Sequence, residues 1–319
     1  MSVPSDATAP PLALIAGPTA SGKSDVAVKL ALAHRKRGTE AVVINADSAQ
    51  VYRDLAVLSA RPSEEDMGGI EHRLFGTWDA AQPCSAADWA KAARAEIEEC
   101  HARRVLPILV GGTGLYMRTL LDGIAPIPPI SADVREAVRA MPVDDAYAAL
   151  TREDPQRAAM LAPADSTRIA RALEVVRSTG KPLGHWQQHR TGGIGDSVSL
   201  FPAILLPDRD ALYQRCDQRF SRMLEHGAIE EVQTLLSRNL DPTLPAMRAI
   251  GVPEIAGYLN NQWSLEDARE RAAQATRNYA KRQFTWFRRQ PPDQWPRVVY
   301  GDFNIDDLVE TILQQEWLT

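Results

Sequence analysis

Eight residues near the amino end, Gly17-Pro18-Thr19-Ala20-Ser21-Gly22-Lys23-Ser24, match the pattern G-x-x-x-x-G-K-[ST] and directly follow the apolar run Leu12-Ala13-Leu14-Ile15-Ala16. Between a strand and a helix, such a segment wraps an anion in backbone N–H groups, while Lys23 adds a point charge and the Ser24 hydroxyl can hold Mg²⁺. The helix that follows turns its positive dipole end toward the same ligand. This is polyphosphate chemistry, and the pattern leaves open which polyphosphate.

Asp47 stands at the carboxyl end of a second apolar run, Ala41 to Ala46. Two roles suit it: a carboxylate that holds Mg²⁺ through water, or a general base. Thr113 follows a third run, Val105 to Val110, and the pair Gly111-Gly112. It either faces the same crevice or caps a helix over Leu115 to Leu121. Arg168 and Arg171 share a helical face at i, i+3, and Arg219 sits in Gln218-Arg219-Phe220; taken alone, these are ordinary surface charges. His185 and His189 have a metal-compatible i, i+4 spacing, but no Asp, Glu or Cys stands beside them to complete a ligand set.

Strands alternating with helices must position these groups. The three runs above, with helices from Ser24 to about Arg37 and from Ser85 to about Arg104, imply a parallel sheet with ligands at the carboxyl ends of its strands. The expected fold is α/β: a core like that of the P-loop NTPases, a parallel sheet flanked by helices, plus a small all-helical insertion. Pro126, Pro128 and Pro129 read as a stiff hinge, and residues 131 to 189 carry a helical pattern closed by the glycine-rich 191 to 195. The expected division is thus 1–125 as the first part of the core, 126–195 as the insertion and 196–319 as the rest of the core. A strand over Val198 to Leu206 resumes the sheet. Helices follow over about 208–226, 228–238, 253–260 and 264–289, then a last strand within 294–300 and a closing helix over 306–315. Met1 to Pro11 reads as a frayed tail, with none of the features of a signal segment.

Composition narrows the function classes. A chain of 319 residues with 45% apolar and 24% charged residues suits a globular protein of one large and one smaller unit. No window approaches the roughly 20 apolar residues of a membrane span, so a cytoplasmic protein without a membrane partner is expected. Three scattered cysteines, Cys84, Cys100 and Cys216, fit neither a disulfide framework nor a zinc site. The net charge of −5 is unevenly spread: residues 269–289 hold seven cations against the single acid Glu270, with Phe284, Trp286 and Phe287 interleaved. A basic helix of this kind is either a solvated face or a phosphate-backbone contact, and the aromatic content favours the latter.

The motifs taken together go further. GPTASGKS (17–24), DSAQVY (47–52), HRL (72–74), SAAD (85–88), LVGGTGLY (109–116), RALEV (171–175), STGK (178–181), QRF (218–220), RAIG (248–251) and TRNYAKRQFTW (276–286) occur in this order. From Leu12 to about Arg289 the chain closely resembles the bacterial tRNA dimethylallyltransferases. Two segments depart from the family pattern: Arg61 stands in Leu58-Ser59-Ala60-Arg61-Pro62 where a lysine is common, and Val252 follows Gly251 where a tyrosine is common.

The resemblance implies transfer of a dimethylallyl group from its diphosphate to the exocyclic amine of the adenosine at tRNA position 37, with pyrophosphate released. It implies Asp47, Thr113 and Arg219 as catalytic residues, Gly17, Pro18, Thr19, Ala20, Ser21, Gly22, Lys23 and Ser24 as the diphosphate cradle, and Mg²⁺ on Ser24. It places contacts to the tRNA anticodon stem-loop at Asp47, Ser48, Ala49, Gln50, Thr113, Arg135, Thr167, Arg168, Ile169, Ala170, Arg171, Arg248, Thr276, Arg277, Lys281, Arg282 and Gln283. A monomer with no obligate protein partner is expected. Three other classes share parts of this pattern. A small-molecule kinase or NTPase would carry an arginine-paired lid. A free-nucleotide isopentenyltransferase would lack the insertion and the basic helix. A non-catalytic RNA-binding module would leave the loop, Asp47 and Thr113 unexplained.

Overall fold

The computed structural model describes residues 9–298 and 309–310. In chain order its elements are β1 (Pro11–Ala16), α1 (Lys23–Lys36), β2 (Ala41–Asn45), α2 (Glu64–Met67), β3 (Glu71–Arg73), α3 (Ala86–Ala102), β4 (Leu106–Gly111), α4 (Gly114–Asp122), α5 (Ala132–Arg139), α6 (Val143–Glu153), α7 (Pro155–Ala158), α8 (Ser166–Thr179), α9 (Leu183–Gln187), β5 (Ser199–Leu205), α10 (Arg209–Glu225), α11 (Ala228–Ser237), α12 (Val252–Leu259), α13 (Leu265–Arg289) and β6 (Arg297–Val298).

The strands form one sheet in the order β3-β2-β4-β1-β5-β6, with every pairing parallel. Parallel neighbours cannot be joined by tight turns, so helical crossovers cover the sheet and its central strands read as unbroken apolar runs. Every residue of β2 and β4 is buried, and so are the last five of β1. Ala13, Ile15, Val43, Ile108 and Val110 of the sheet pack with Val26, Ala27 and Leu30 of α1. Chain breaks between elements are set locally: Ser85 and Asp88 form a reciprocal capping box that starts α3, and Ser264 and Asp267 do the same for α13.

Residues 121–194 form a second compact unit, and the rest of the chain forms the first. The second unit contains α5 to α9 and an isolated antiparallel bridge between Ile124 and Thr191. Its own core gathers Val138, Ala149, Leu150, Ile169, Ala172 and Leu173.

Three sequence expectations need amendment. Pro11 is not tail but the first residue of β1, in register with Ser199. Strand β3 was not expected; it is three residues long, largely open on its outer side, and exists through pairing with β2 at Val42–Glu71 and Val43–His72. Of the last expected strand, Arg297 and Val298 are in β6 and residues 299–300 lie outside the described residues. Of the closing helix over 306–315, only Val309 and Glu310 are described, and both are helical.

Candidate active site

β1 ends at Ala16 and the chain wraps back into α1 through Ala20 and Gly22, both left-handed at φ 61° and 79°. Gly17 starts the loop against the sheet. A Cβ there would lie 2.7 Å from the Leu205 carbonyl oxygen, so only glycine lets the loop approach β5 this closely. Two side chains from distant helices hold the loop. Gln283 of α13 accepts the Thr19 N–H at Oε1 (2.8 Å) and donates from Nε2 to the Gly112 carbonyl (2.8 Å), bracing the loop against the end of β4. Arg219 of α10 donates to the Thr19 hydroxyl (3.2 Å) and to the Ser59 carbonyl (2.8 Å). Lys23 Nζ donates to the Pro18 carbonyl at 3.2 Å.

These two cations are stored at an electrostatic cost. Burial pulls the Lys23 amine from its ordinary 10.5 to about 8; nearby Arg219 pulls the same way and Asp47 opposes both. Burial likewise holds the Arg219 guanidinium below its ordinary value, with Asp47 again opposing. An anion bound beside them would reverse the penalty by favouring their charged forms.

Asp47 leaves β2 beside this pair. Its N–H donates to the buried Asn45 side chain (2.8 Å), which in turn donates to the carbonyls of Asp47 (3.0 Å) and Leu74 (3.1 Å). Asp47 Oδ1 accepts the Ala49 N–H at 3.0 Å, which orients the carboxylate. Gly111 permits this arrangement, because a Cβ there would lie 2.2 Å from the backbone of Ala46. Thr113 Oγ1 accepts the Ser48 N–H (2.9 Å) and donates to Ser48 Oγ (3.2 Å). The Tyr279 hydroxyl joins both Thr113 and Ser48, and burial together with the Asp47 charge pushes its ionisation well up.

Within the first unit Thr19, Asp47, Ser48, Arg219 and Tyr279 meet at a cavity of about 350 Å³. Thr19, Asp47, Ser48, Ala49 and Arg219 line it with polar atoms, and Leu55, Leu58, Phe220, Met223 and Ile250 give it an apolar wall. Tyr52, Tyr116 and Tyr279 complete it, with the exposed Arg248 and Arg282 and with Thr276 also in its lining. Cations, oriented donors and a carboxylate beside branched apolar side chains suit a small ligand with an anionic head and a hydrocarbon tail.

Other residues singled out in the sequence stand elsewhere. Gln283 is buried and both ends of its amide are occupied by the loop and by β4, so it is a brace and not a surface contact. Gln50 donates to the carbonyls of Ser59 and Ala60. Arg277 pairs with Asp217 and opens onto a separate cleft between α10 and α13, while Lys281 is exposed. In the second unit Arg135, Thr167, Arg168 and Arg171 are exposed, with Arg168 against Asp165 and Arg171 against the buried Glu174. Ile169 is fully buried in that unit's core and the half-buried Ala170 packs against it. Trp286 packs on Gly114 and edge-on to the buried Phe287, so these aromatics anchor α13. Arg61 packs over Gly76, and Val252 is buried at the start of α12, where it carries no surface role.

The sequence reading missed Tyr279, the apolar wall and Glu231, whose carboxylate accepts three consecutive backbone N–H groups at 56–58. The spacing Ala280, Gln283, Phe287 at i, i+3, i+7 is the one signal that would have put Gln283 on the inner stripe of α13.

A phosphate loop that carries the half-buried Lys23, and a cavity lined by its Thr19, the half-buried Arg219 and the strand-end carboxylate Asp47, define an α/β enzyme of the phosphate-loop class. The family model described as IPP transferase matches residues 50–290. The chain is 63% identical over 305 residues to the tRNA dimethylallyltransferase of Erythrobacter litoralis (strain HTCC2594), covering 96% of each protein. It is 51% identical to that of Zymomonas mobilis, covering 95% of this chain and 96% of the other. Among solved structures it resembles the full-length tRNA isopentenylpyrophosphate transferase of Bacillus halodurans, with a TM-score of 0.67, 32% identity and 95% and 94% of the two chains covered. A eukaryotic dimethylallyltransferase acting on tRNA aligns with a TM-score of 0.74 at 28% identity, over 87% of this chain and 69% of that one. The chain belongs to the IPP transferase family.

Proposed function

We propose that this chain transfers the dimethylallyl group of dimethylallyl diphosphate to the exocyclic N6 amine of adenosine at tRNA position 37, releasing pyrophosphate. The names of its relatives support the reaction, and one observation carries it here: Thr19 of the phosphate loop, Arg219, Asp47 and an apolar wall of Leu55, Leu58 and Ile250 share a single cavity. A kinase would need the loop but not the apolar wall beside the carboxylate.

In this reading the C1–O bond of the donor breaks as the N6–C1 bond forms, and pyrophosphate departs with the electron pair. Lys23, Arg219 and the loop N–H groups stabilise the charge that grows on the leaving group, the kind of preorganised interaction that dominates many enzymes. Adenine's amine is a weak nucleophile because its lone pair is delocalised into the ring. Asp47 accepts an N6 proton, which localises that pair, and the Ala49 N–H keeps the carboxylate aimed. Thr113 and Tyr279 act on Ser48 at the side of the incoming base.

The donor set also fits Mg²⁺. Ser24 offers one hydroxyl at the head of α1, and among the described residues no three His, Cys, Asp or Glu side chains cluster. An ion held mainly by substrate phosphates and water needs no more than that, and when bound it would neutralise diphosphate charge. The acceptor is the tRNA anticodon stem-loop, whose unpaired adenosine must leave its stack to reach the cavity. Arg248 and Arg282 at the cavity, Lys281 on α13, and Arg135, Thr167, Arg168 and Arg171 on the second unit supply phosphate contacts. No helix among the described residues is long and apolar enough to cross a membrane, consistent with an enzyme working on tRNA in the cytoplasm.

The test is transfer of labelled dimethylallyl to bulk bacterial tRNA lacking the modification, beside AMP as acceptor and beside ATP hydrolysis. Label in tRNA that falls about a hundredfold or more with Asp47→Ala supports both enzyme and base. Label in AMP alone, or ATP turnover alone, refutes the assignment.

A further inference from the structure

Glu231, in the first turn of α11, holds a segment 173 to 175 residues before it in the chain. Its Oε2 accepts the N–H groups of Ala56 (2.6 Å) and Val57 (2.8 Å), and its Oε1 accepts that of Leu58 (2.9 Å). Three successive backbone donors form an anion nest, filled here by a side chain of the protein itself. The carbonyls just beyond the nest serve the site. Ser59 C=O receives Arg219 at 2.8 Å and Gln50 at 3.2 Å, and Ala60, left-handed at φ 45°, offers its carbonyl to Gln50 at 3.0 Å. Arg238, two turns after Glu231, pairs with Asp54 and Asp79. Helix α11 therefore grips this segment at Asp54 and again at 56–58.

We infer that Glu231 is a positioning residue for the diphosphate end of the site: by anchoring the amides of 56–58 it sets the Ser59 carbonyl that aims Arg219 at Thr19 of the phosphate loop. The inference rests on the proposed function, in which Arg219 is a diphosphate contact. Charge matters to it, because a carboxylate meets all three donors with acceptor lone pairs, whereas an amide turns an N–H toward at least one of them. Leu55, just before the anchored amides, and Leu58, whose own amide is anchored, both line the apolar wall, so the same anchor also shapes the place of the hydrocarbon tail.

The experiment is a double-mutant cycle read by calorimetric binding of inorganic pyrophosphate to the full chain: wild type, Glu231→Gln, Arg219→Ala and the double variant. Glu231→Gln is expected to weaken binding about tenfold in the wild-type background and less than about twofold in the Arg219→Ala background. The KM for dimethylallyl diphosphate rises in parallel while that for tRNA stays within about twofold. Glu231→Asp serves as a second variant, and a charge that falls short of the nest is expected to weaken binding through the same coupling. Equal weakening in both backgrounds, no weakening in either, or pyrophosphate binding undisturbed by Arg219→Ala overturns the inference. So does failure of both Glu231 variants to fold, which would assign the carboxylate to the fold alone. Wild-type protein that binds pyrophosphate yet modifies no tRNA sinks the proposed function instead, and the cycle still decides the positioning role.

Discussion

Lys23 makes the sharpest quantitative claim, because its amine titrates at about 8 rather than 10.5 and should be charged when a diphosphate is bound. Below pH 8 the cation is already present and donor binding moves few protons. Above it, binding must first protonate the amine, and affinity falls by a factor approaching ten per pH unit. From pH 7.5 to 9.5 the dissociation constant of dimethylallyl diphosphate, measured without tRNA, should rise about 25-fold, and proton uptake should approach about one per ligand at the upper end. Calorimetry in two buffers of different ionisation enthalpy reads both quantities. Lys23→Met removes the contribution of the protein and leaves only that of the ligand, so the difference between the two curves is the signal. An affinity that is flat over this range in wild type, or that falls equally in Lys23→Met, would refute the account of the desolvated cation pair. The ligand-free protein supplies a check of opposite sense: the unfolded chain keeps the proton that folded Lys23 releases, so this group makes stability rise as pH climbs from about 8 toward 10.5.

Asp47→Asn keeps an oxygen for the Ala49 N–H but no longer accepts a proton readily, so single-turnover transfer to tRNA should slow about 10²- to 10⁴-fold with pyrophosphate binding retained. Gln283→Leu strands the Thr19 N–H and the Gly112 carbonyl inside the protein; the urea midpoint should fall by the equivalent of about 2–5 kcal/mol, and an unchanged midpoint would remove the brace. Lys281→Gln, exposed on α13, should weaken tRNA binding while lowering the salt slope by about one, with donor binding unaffected.

The loop, Asp47, Arg219 and the parallel sheet were legible because each rests on a local signal: a fixed spacing, a buried run, a strand end. Strand β3 was not, since three residues at a sheet edge have no periodicity of their own and owe their conformation to β2. The site was harder to read wherever one side chain serves a distant backbone. Gln283 sits in a basic, aromatic stretch that reads as an RNA surface, yet its partners lie 264 and 171 residues earlier. Glu231 carries no motif of its own, and its role appears only when α11 is laid beside residues 56–58. Ile169 lies between surface arginines but on the inward stripe of α8, a burial that a helical period shows and a contiguous span does not.

The place of β1 between β4 and β5 has a consequence for synthesis. β1 is made well before the strands on either side of it, and its second neighbour ends only at Leu205. At about 5–20 residues per second, β1 waits on the order of 10–40 seconds for that neighbour, with both hydrogen-bonding edges open until β4 is made and one open after that. In that interval residues 121–194, whose core draws on no other part of the chain, can fold as a body. The phosphate loop, among the first segments made, acquires its brace only when Gln283 emerges, so a ribosome stalled before that point displays a loop not yet set for its ligand.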